Sequence, residues 1–344
     1  MNKDYGQLLS ICIPTYNRAD RLKRALPLWI DKVSKYNIRI VISDNASLDN
    51  TQAVVKEFQT IYNNIFYSRN DTNIGPDKNY EKVLTIADTE YRWLMGDDDE
   101  CKGDFEALFR VLDKDYDIIL LNFPRIIDQV NSEKYIDMNK LMFDLGASTT
   151  FISSLIFHKR VIKSPVFSEV YNSEFAKHFF AHSAVVFSYV ANQSGKVFFL
   201  ADFSVCGLNT DEPVSWANLT FQYFVNELNI TADLLPEFYT KKSKRAYSRK
   251  IRTHFFGMRA YYIHAYRAKL DGKFSVSYFF KSYKNIKRVF NLGQRLVLFN
   301  FALYPKILIK TMFIITRGVY RFLKYTIRGK KHPSKIANAQ GVSQ

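Results

Sequence analysis

The chain has 344 residues, 47% apolar and 24% charged, with 13 glycines and 9 prolines, a balance that excludes a disordered chain and any collagen-like or low-complexity fibre. Three scattered cysteines (Cys12, Cys101, Cys206) exclude a disulfide scaffold or a paired-cysteine metal site and fit a reducing compartment. The net charge of +16 is uneven: residues 241–344 hold 25 Lys and Arg and one acid, Asp271, while residues 1–240 hold 24 bases and 32 acids, so the basic segment calls for an anionic partner.

In chain order, short apolar runs at 9–15, 38–44, 64–69, 91–96 and 116–123 predict strands. Stretches at helical spacing lie between them, at 18–33, 49–62, 77–88 and 103–113. The alternation predicts right-handed crossovers and an α/β fold with a mostly parallel sheet flanked by helices. Such a sheet binds its ligands beyond the carboxyl ends of the strands. From 126 to 210 the pattern loosens, with a strand at 151–158, a helix at 175–192 and a strand at 196–202; a helix at 216–235 follows. After 240 the chain reads as basic, aromatic and helical, with a disordered tail at 331–344. The expected organisation is a body at 1–240, split into halves at 1–125 and 126–240, then a basic amphipathic helical region at 241–330.

Four polar clusters fall at the predicted strand ends: Pro14-Thr15-Tyr16-Asn17-Arg18, Asp44-Asn45-Ala46-Ser47, Asn73-Ile74-Gly75-Pro76 and Gly96-Asp97-Asp98-Asp99-Glu100. Taken singly, such clusters are ordinary turn and N-cap chemistry. The triplet Asp97–Asp99 is different, because three adjacent carboxylates repel one another unless a cation or donor groups hold them. Hard divalent cations such as Mg2+ and Mn2+ take oxygen ligands and bridge a few carboxylates to substrate phosphates.

Together, in this order and spacing, the clusters resemble family-two glycosyltransferases of the GT-A fold, of the bacterial surface-polysaccharide or O-antigen type. The resemblance rests on Ile13-Pro14-Thr15-Tyr16-Asn17-Arg18, on Ser43-Asp44-Asn45-Ala46-Ser47-Leu48-Asp49-Asn50-Thr51, on Asn73-Ile74-Gly75 with Asn79, and on Gly96-Asp97-Asp98-Asp99. It implies a nucleotide site formed by Pro14, Thr15, Tyr16, Arg18, Asp44, Asn73, Gly75, Asp97 and Asp98, with Asp44 accepting from a base N–H and Asp98 facing the ribose. It implies a Mn2+ or Mg2+ cofactor on Asp99, with Asp97 as outer acid. Gly96 departs from the family pattern by standing where many members carry the first Asp.

The resemblance also implies an inverting transfer, in which a base takes the acceptor hydroxyl proton. Members usually carry an acidic pair at the start of the helix before a Gly-Lys-led strand. Here that strand is Gly195-Lys196-Val197-Phe198-Phe199-Leu200, and counting back reaches His182-Ser183 with no acidic pair. His182 is therefore the expected base, since imidazole titrates near neutrality, and His178 is the runner-up one turn away.

The basic region combines cations with dense Tyr, Phe and Ile, and its apolar run at 296–309 is broken by Pro305 and Lys306. Such a run suits helices lying in a membrane interface better than a spanning helix of about 20 apolar residues. The opening MNKDYGQLL has no apolar signal core, so export by that route is not expected. The expectations are thus a nucleotide-sugar donor (UDP by default), a lipid-linked or free glycan acceptor, hexosyl or deoxyhexosyl transfer, and a cytoplasmic protein peripheral at the inner membrane face. No nucleic-acid module is apparent, and the acidic body argues against that partner. The alternatives are a nucleotidyltransferase, for which no Gly-rich triphosphate loop is present, and a non-catalytic glycan- or lipid-binding scaffold. Residue types do not fix the oligomeric state.

Overall fold

A computed structural model of the chain describes residues 5–123, 131–193, 195–208, 219, 221–251 and 257–308. The expected tail at 331–344 and the end of the basic region lie outside the described residues. The first half builds as the sequence pattern predicts: β1 (Leu9–Thr15), α1 (Ala19–Val33), β2 (Arg39–Asp44), α2 (Thr51–Ile61), β3 (Ile65–Arg69), α3 (Pro76–Ile86) and β4 (Tyr91–Leu94). Then come β5 (Asp99–Lys102), α4 (Phe105–Leu112), β6 (Ile118–Asn122), β7 (Glu133–Tyr135), α5 (Met138–Leu145), β8 (Leu155–His158), α6 (Lys159–Ile162), α7 (Pro165–Tyr171), α8 (Ala181–Gln193) and β9 (Val197–Gly207).

The sheet runs β3-β2-β1-β4-β8-β6-β9-β5, with β7 also on β9. Strands β3, β2, β1, β4, β6 and β9 point one way, and β8, β5 and β7 the other. β1 and β2 are nearly continuous apolar runs because helices cover both faces. Trp29 and Trp93 meet edge-to-face in the core, with ring centroids 5.4 Å apart.

Three differences from the sequence reading bear on the site. The fourth strand stops at Leu94, and the acids it was to carry turn into β5, which pairs antiparallel with β9 from Asp99 opposite Gly207. β9 is longer than expected because it bends past a register shift at Leu121/Asn122 to serve both β6 and β5. The helix expected at 175–192 is divided: residues 174–177 form a 3-10 turn, Phe179 adopts φ 64°, and α8 starts only at Ala181.

Beyond β9 lie a π-helical turn (Gln222–Glu227), α9 (Leu228–Leu234), α10 (Lys241–Lys250), α11 (Gly257–Leu270), α12 (Val276–Lys281), α13 (Tyr283–Val289) and α14 (Leu292–Leu303). Tyr247 of α10 and Ile251 belong to the main core, whereas Phe221 and Val225 join Tyr261, Phe274, Phe290 and Leu298 in a second one. The two cores therefore interlock on both sides of residue 240. Among the described residues no helix is long and apolar enough to cross a membrane.

Candidate active site

The register of the sheet brings the first two clusters together. Thr15 pairs with Asp44 at the carboxyl ends of β1 and β2. The loops that follow are tied by short polar side chains. Asn17, at φ 53°, receives Leu48 N–H on its side-chain oxygen at 2.7 Å and gives its own N–H to Ser47 Oγ at 2.8 Å. Asp49 accepts from Ala19 N–H at 2.9 Å, which stabilises the start of α1. Arg18 is thereby fixed between the loop and the helix.

Arg18 and Thr15 both reach the aspartate triplet. Thr15 Oγ1 donates to Asp97 Oδ2 at 2.8 Å, and Arg18 donates to Asp97 Oδ1 at 3.1 Å and Asp98 Oδ2 at 2.9 Å. Arg21, one turn along α1, also pairs with Asp98. Asp97 and Asp99 are buried, and Asp98 is the most open of the three. Asp99 sits deepest: Ser153 Oγ donates to its Oδ2, Trp29 Nε1 donates to its carbonyl at 3.1 Å, and no cation among the described residues forms an ion pair with it. Burial raises the Asp99 carboxyl above the usual range, with the charges of Asp98 and Asp97 adding to it. Burial also raises Asp97, against the opposing pull of Arg18.

Backbone contacts fix the turn that carries the triplet. Met95 N–H donates to Cys12 O at 2.9 Å, Gly96 N–H to Ser153 Oγ at 2.9 Å, and Leu208 N–H at the end of β9 to Asp98 O at 2.7 Å. Gly96 has a steric reason. A Cβ there would stand 2.3 Å from Asp99 Oδ2, so the position where many family members carry an Asp admits no side chain in this arrangement.

The other expected nucleotide residues are arranged differently. Pro14 is buried in β1 opposite Ser43, and Tyr16 is exposed beside the cluster. Asp44 is fully buried; it accepts from Ser47 N–H at 2.9 Å and Tyr67 Oη at 2.6 Å, with Arg69 Nε 3.7 Å away. Asn73 accepts from Asn45 Nδ2 and Gly75 N–H, both at 2.9 Å. Asn79 in turn holds Ser43, accepting its hydroxyl at 2.7 Å. Asn73 and Gly75 thus belong to an asparagine network that pins the loop before α3.

Helix α8 packs on α3 and on the 3-10 turn at Gly146–Thr150. His182 is 2% exposed, and its Nε2–H faces Thr150 O at 3.3 Å. That contact leaves the Nδ1 lone pair buried without a protein partner. Burial pulls its pKa down to about 4, so the ring is neutral at pH 7 and lacks the near-neutral titration that made it the expected base. Tyr80 of α3 meets the His182 ring edge-on at 5.6 Å, and the charges of Asp97 and Arg18 bear on the same tyrosine. His178 is half-buried and donates Nδ1–H to Glu227 Oε2 at 2.6 Å.

Several of these residues were not anticipated from the sequence. Arg21 was visible only as a second base one turn after Arg18. Asp77 lies in the first turn of α3, yet it accepts from Ala181 N–H at 3.2 Å, and from Phe179 N–H, at the start of α8. Burial raises its carboxyl to about 7. Ser153, Tyr80 and Glu227 carried no local signal.

Residues 10–169 match the family described as Glycosyl transferase family 2. The chain is 34% identical over 177 residues to the abequosyltransferase RfbV of Salmonella typhimurium, a match covering 44% of this chain and 53% of that protein. It is 33% identical over 93 residues to a GalNAc(5)-diNAcBac-PP-undecaprenol beta-1,3-glucosyltransferase of Campylobacter jejuni, covering 27% of this chain and 30% of that one. The matches thus span about half or less of these curated relatives. In fold, the crystal structure of S. aureus TarS 1–349 superposes with a TM-score of 0.52 at 14% identity, over 85% of this chain and 90% of its own. Residues 10–169, which carry the aspartate triplet, thus match glycosyl transferase family 2, and the chain shares the GT-A fold.

Proposed function

We propose that the chain is an inverting glycosyltransferase. It moves a hexose or deoxyhexose from a nucleotide-diphosphate donor, UDP by default, to a lipid-linked glycan in surface-polysaccharide (O-antigen or capsule) synthesis. The acceptor's lipid places the enzyme at the inner face of the cell membrane, with residues 241–330 towards it. The observation that carries this reading is the convergence of Thr15, Arg18 and Arg21 on the aspartate triplet at the carboxyl edge of the sheet. The abequose- and glucose-transferring relatives support the sugar chemistry, and the undecaprenol-linked one supports the lipid carrier.

Arg18 and Arg21 set positive charge where a nucleoside diphosphate leaves, and that charge stabilises the leaving group as its bond to the anomeric carbon breaks. Asp98, the open carboxylate, is suited to the ribose hydroxyls. A divalent cation fits Asp99 with Asp97 beside it, because both buried carboxyls are raised and a dication would restore their ionised form. Among the described residues no group of three metal-ligating side chains forms, so diphosphate oxygens would complete the coordination. Bound there, Mn2+ or Mg2+ would supply Lewis-acid stabilisation of the leaving diphosphate. On the acceptor side, His182 Nδ1 takes the hydroxyl proton as that oxygen bonds to the anomeric carbon. With Nε2 facing Thr150 O, the buried Nδ1 is the ring nitrogen left to accept it.

The test is nucleoside-diphosphate release and sugar transfer with and without chelator. Asp99→Asn is expected to abolish transfer. Undiminished transfer after complete chelation contradicts the metal role.

A further inference from the structure

The second core leaves one helix apolar on both sides. In α14, Leu298 and Ala302 are buried against α11–α13, yet the opposite face presents Leu292, Leu296 and Leu303, followed by Ile307, which is 74% exposed, and Leu308. Phe280 of α12 extends this face: it is 61% exposed, and its ring lies 5.8 Å from that of Phe299. An exposed apolar stripe on a helix already packed along its other side is a candidate for a second covering. Exposed Lys281, Lys284 and Lys287 stand on the neighbouring helices.

Charge decides among the occupants. Residues 241–308 hold 17 Lys and Arg and one acid, and residues 309–344 add eight bases and no acid. A second copy of this face, or the chain's own end folded back over it, would bring like charge against like charge. A nucleic acid would meet the lysines but leave the leucines uncovered. We infer that this face of α12–α14 is a docking surface for an anionic lipid bilayer, with Phe280, Leu292, Leu296, Leu303, Ile307 and Leu308 entering the interface and the lysines lying at headgroup depth. This deepens the membrane side of the proposed function and rests on it. The docked unit is also tied to the segment that precedes α8. Asn226 Nδ2 donates to Tyr278 Oη at 2.8 Å and Ser282 Oγ at 2.9 Å, and the next residue, Glu227, holds His178. The bilayer would therefore orient the acceptor side of the site.

The test is co-sedimentation of the full chain with vesicles of about one-third phosphatidylglycerol in phosphatidylcholine, against pure phosphatidylcholine, at about 0.1 M salt. Partitioning is expected to be roughly tenfold or more stronger on the anionic vesicles. The double variant Leu296→Glu, Leu303→Glu should lose roughly tenfold or more of it while keeping the wild-type melting temperature, since both positions are exposed. No binding of the wild type, or equal binding of the variant, overturns the inference. So does a wild-type dimer in lipid-free buffer that the variant converts to monomer. Vesicle binding involves neither donor nor acceptor, so its failure leaves the transfer reading standing, and failed transfer with intact vesicle binding leaves the docking surface standing.

Discussion

Gly96→Ala separates the placement of Asp99 from its chemistry. The added Cβ would lie 2.3 Å from Asp99 Oδ2 and 2.9 Å from its Cγ, with Ser153 Oγ at 3.5 Å. Non-bonded atoms are comfortable at about 3.5 Å, so the carboxylate must retreat by about 1 Å. It then leaves the Ser153 hydroxyl, its buried hydrogen-bond donor. Overpacking costs about 1–3 kcal/mol of stability, and the lost bond about 1 kcal/mol more. Misplacement by about 1 Å at a reacting site costs about 100-fold in rate, or about 2.7 kcal/mol of barrier. The assay is the initial rate of nucleoside-diphosphate release with acceptor present, alongside a melting curve. The expected result is a kcat lower by about 100-fold in a protein that still melts cooperatively. Ser153→Ala, which removes the donor without a clash, should fall between this variant and wild type. A wild-type kcat in Gly96→Ala would refute the reasoning, because the site would then not depend on where Asp99 sits.

His182→Asn should lower kcat by about 10²–10⁴ while leaving nucleotide-induced thermal shifts intact; equal activity, with the loss falling on His178→Asn instead, would move the base to the Glu227-bound histidine. Arg18→Ala removes the partner of Asp97 and Asp98 and should weaken donor binding by about ten- to hundredfold, as read by calorimetry. Asp77 gives a pH signature. Its folded pKa of about 7 lies above its ordinary 3.8, so its contribution to stability is complete below pH 3.8 and is lost as pH rises through 7. The loss is at most about 4 kcal/mol. Urea unfolding of Asp77→Asn should therefore show a smaller drop between pH 5 and pH 8 than wild type does, and an unchanged drop would place the titration elsewhere.

The alternation of apolar runs and helical stretches made the first half of the fold legible, because strands covered on both faces must be apolar throughout. The triplet was legible because three carboxylates directly after a buried strand have a cost that needs an explanation. What escaped was whatever long-range pairing decides. Asp99-Glu100-Cys101-Lys102 is too short and polar to read as a strand, and it becomes one only because β9 bends to meet it. Asp77 lies in the first turn of its own helix, and nothing local says that it serves a helix beginning 104 residues later. Ser153 acts through a fold-back onto Gly96 and Asp99 that leaves no pattern in Phe151-Ile152-Ser153-Ser154. Counting back from β9 reached His182, but its burial and its vacant Nδ1 follow from α8 packing on Tyr80 and Thr150.

The most direct test of the central claim is a thermal-shift panel of UDP, CDP, GDP and dTDP nucleotides, each with and without Mn2+, on the full chain and on Asp99→Asn. Binding to the native state raises the melting temperature by mass action. A shift with one nucleotide that grows with Mn2+ in wild type, and does not grow in Asp99→Asn, is the predicted result. No shift with any nucleotide, or a metal effect indifferent to Asp99, would contradict the account.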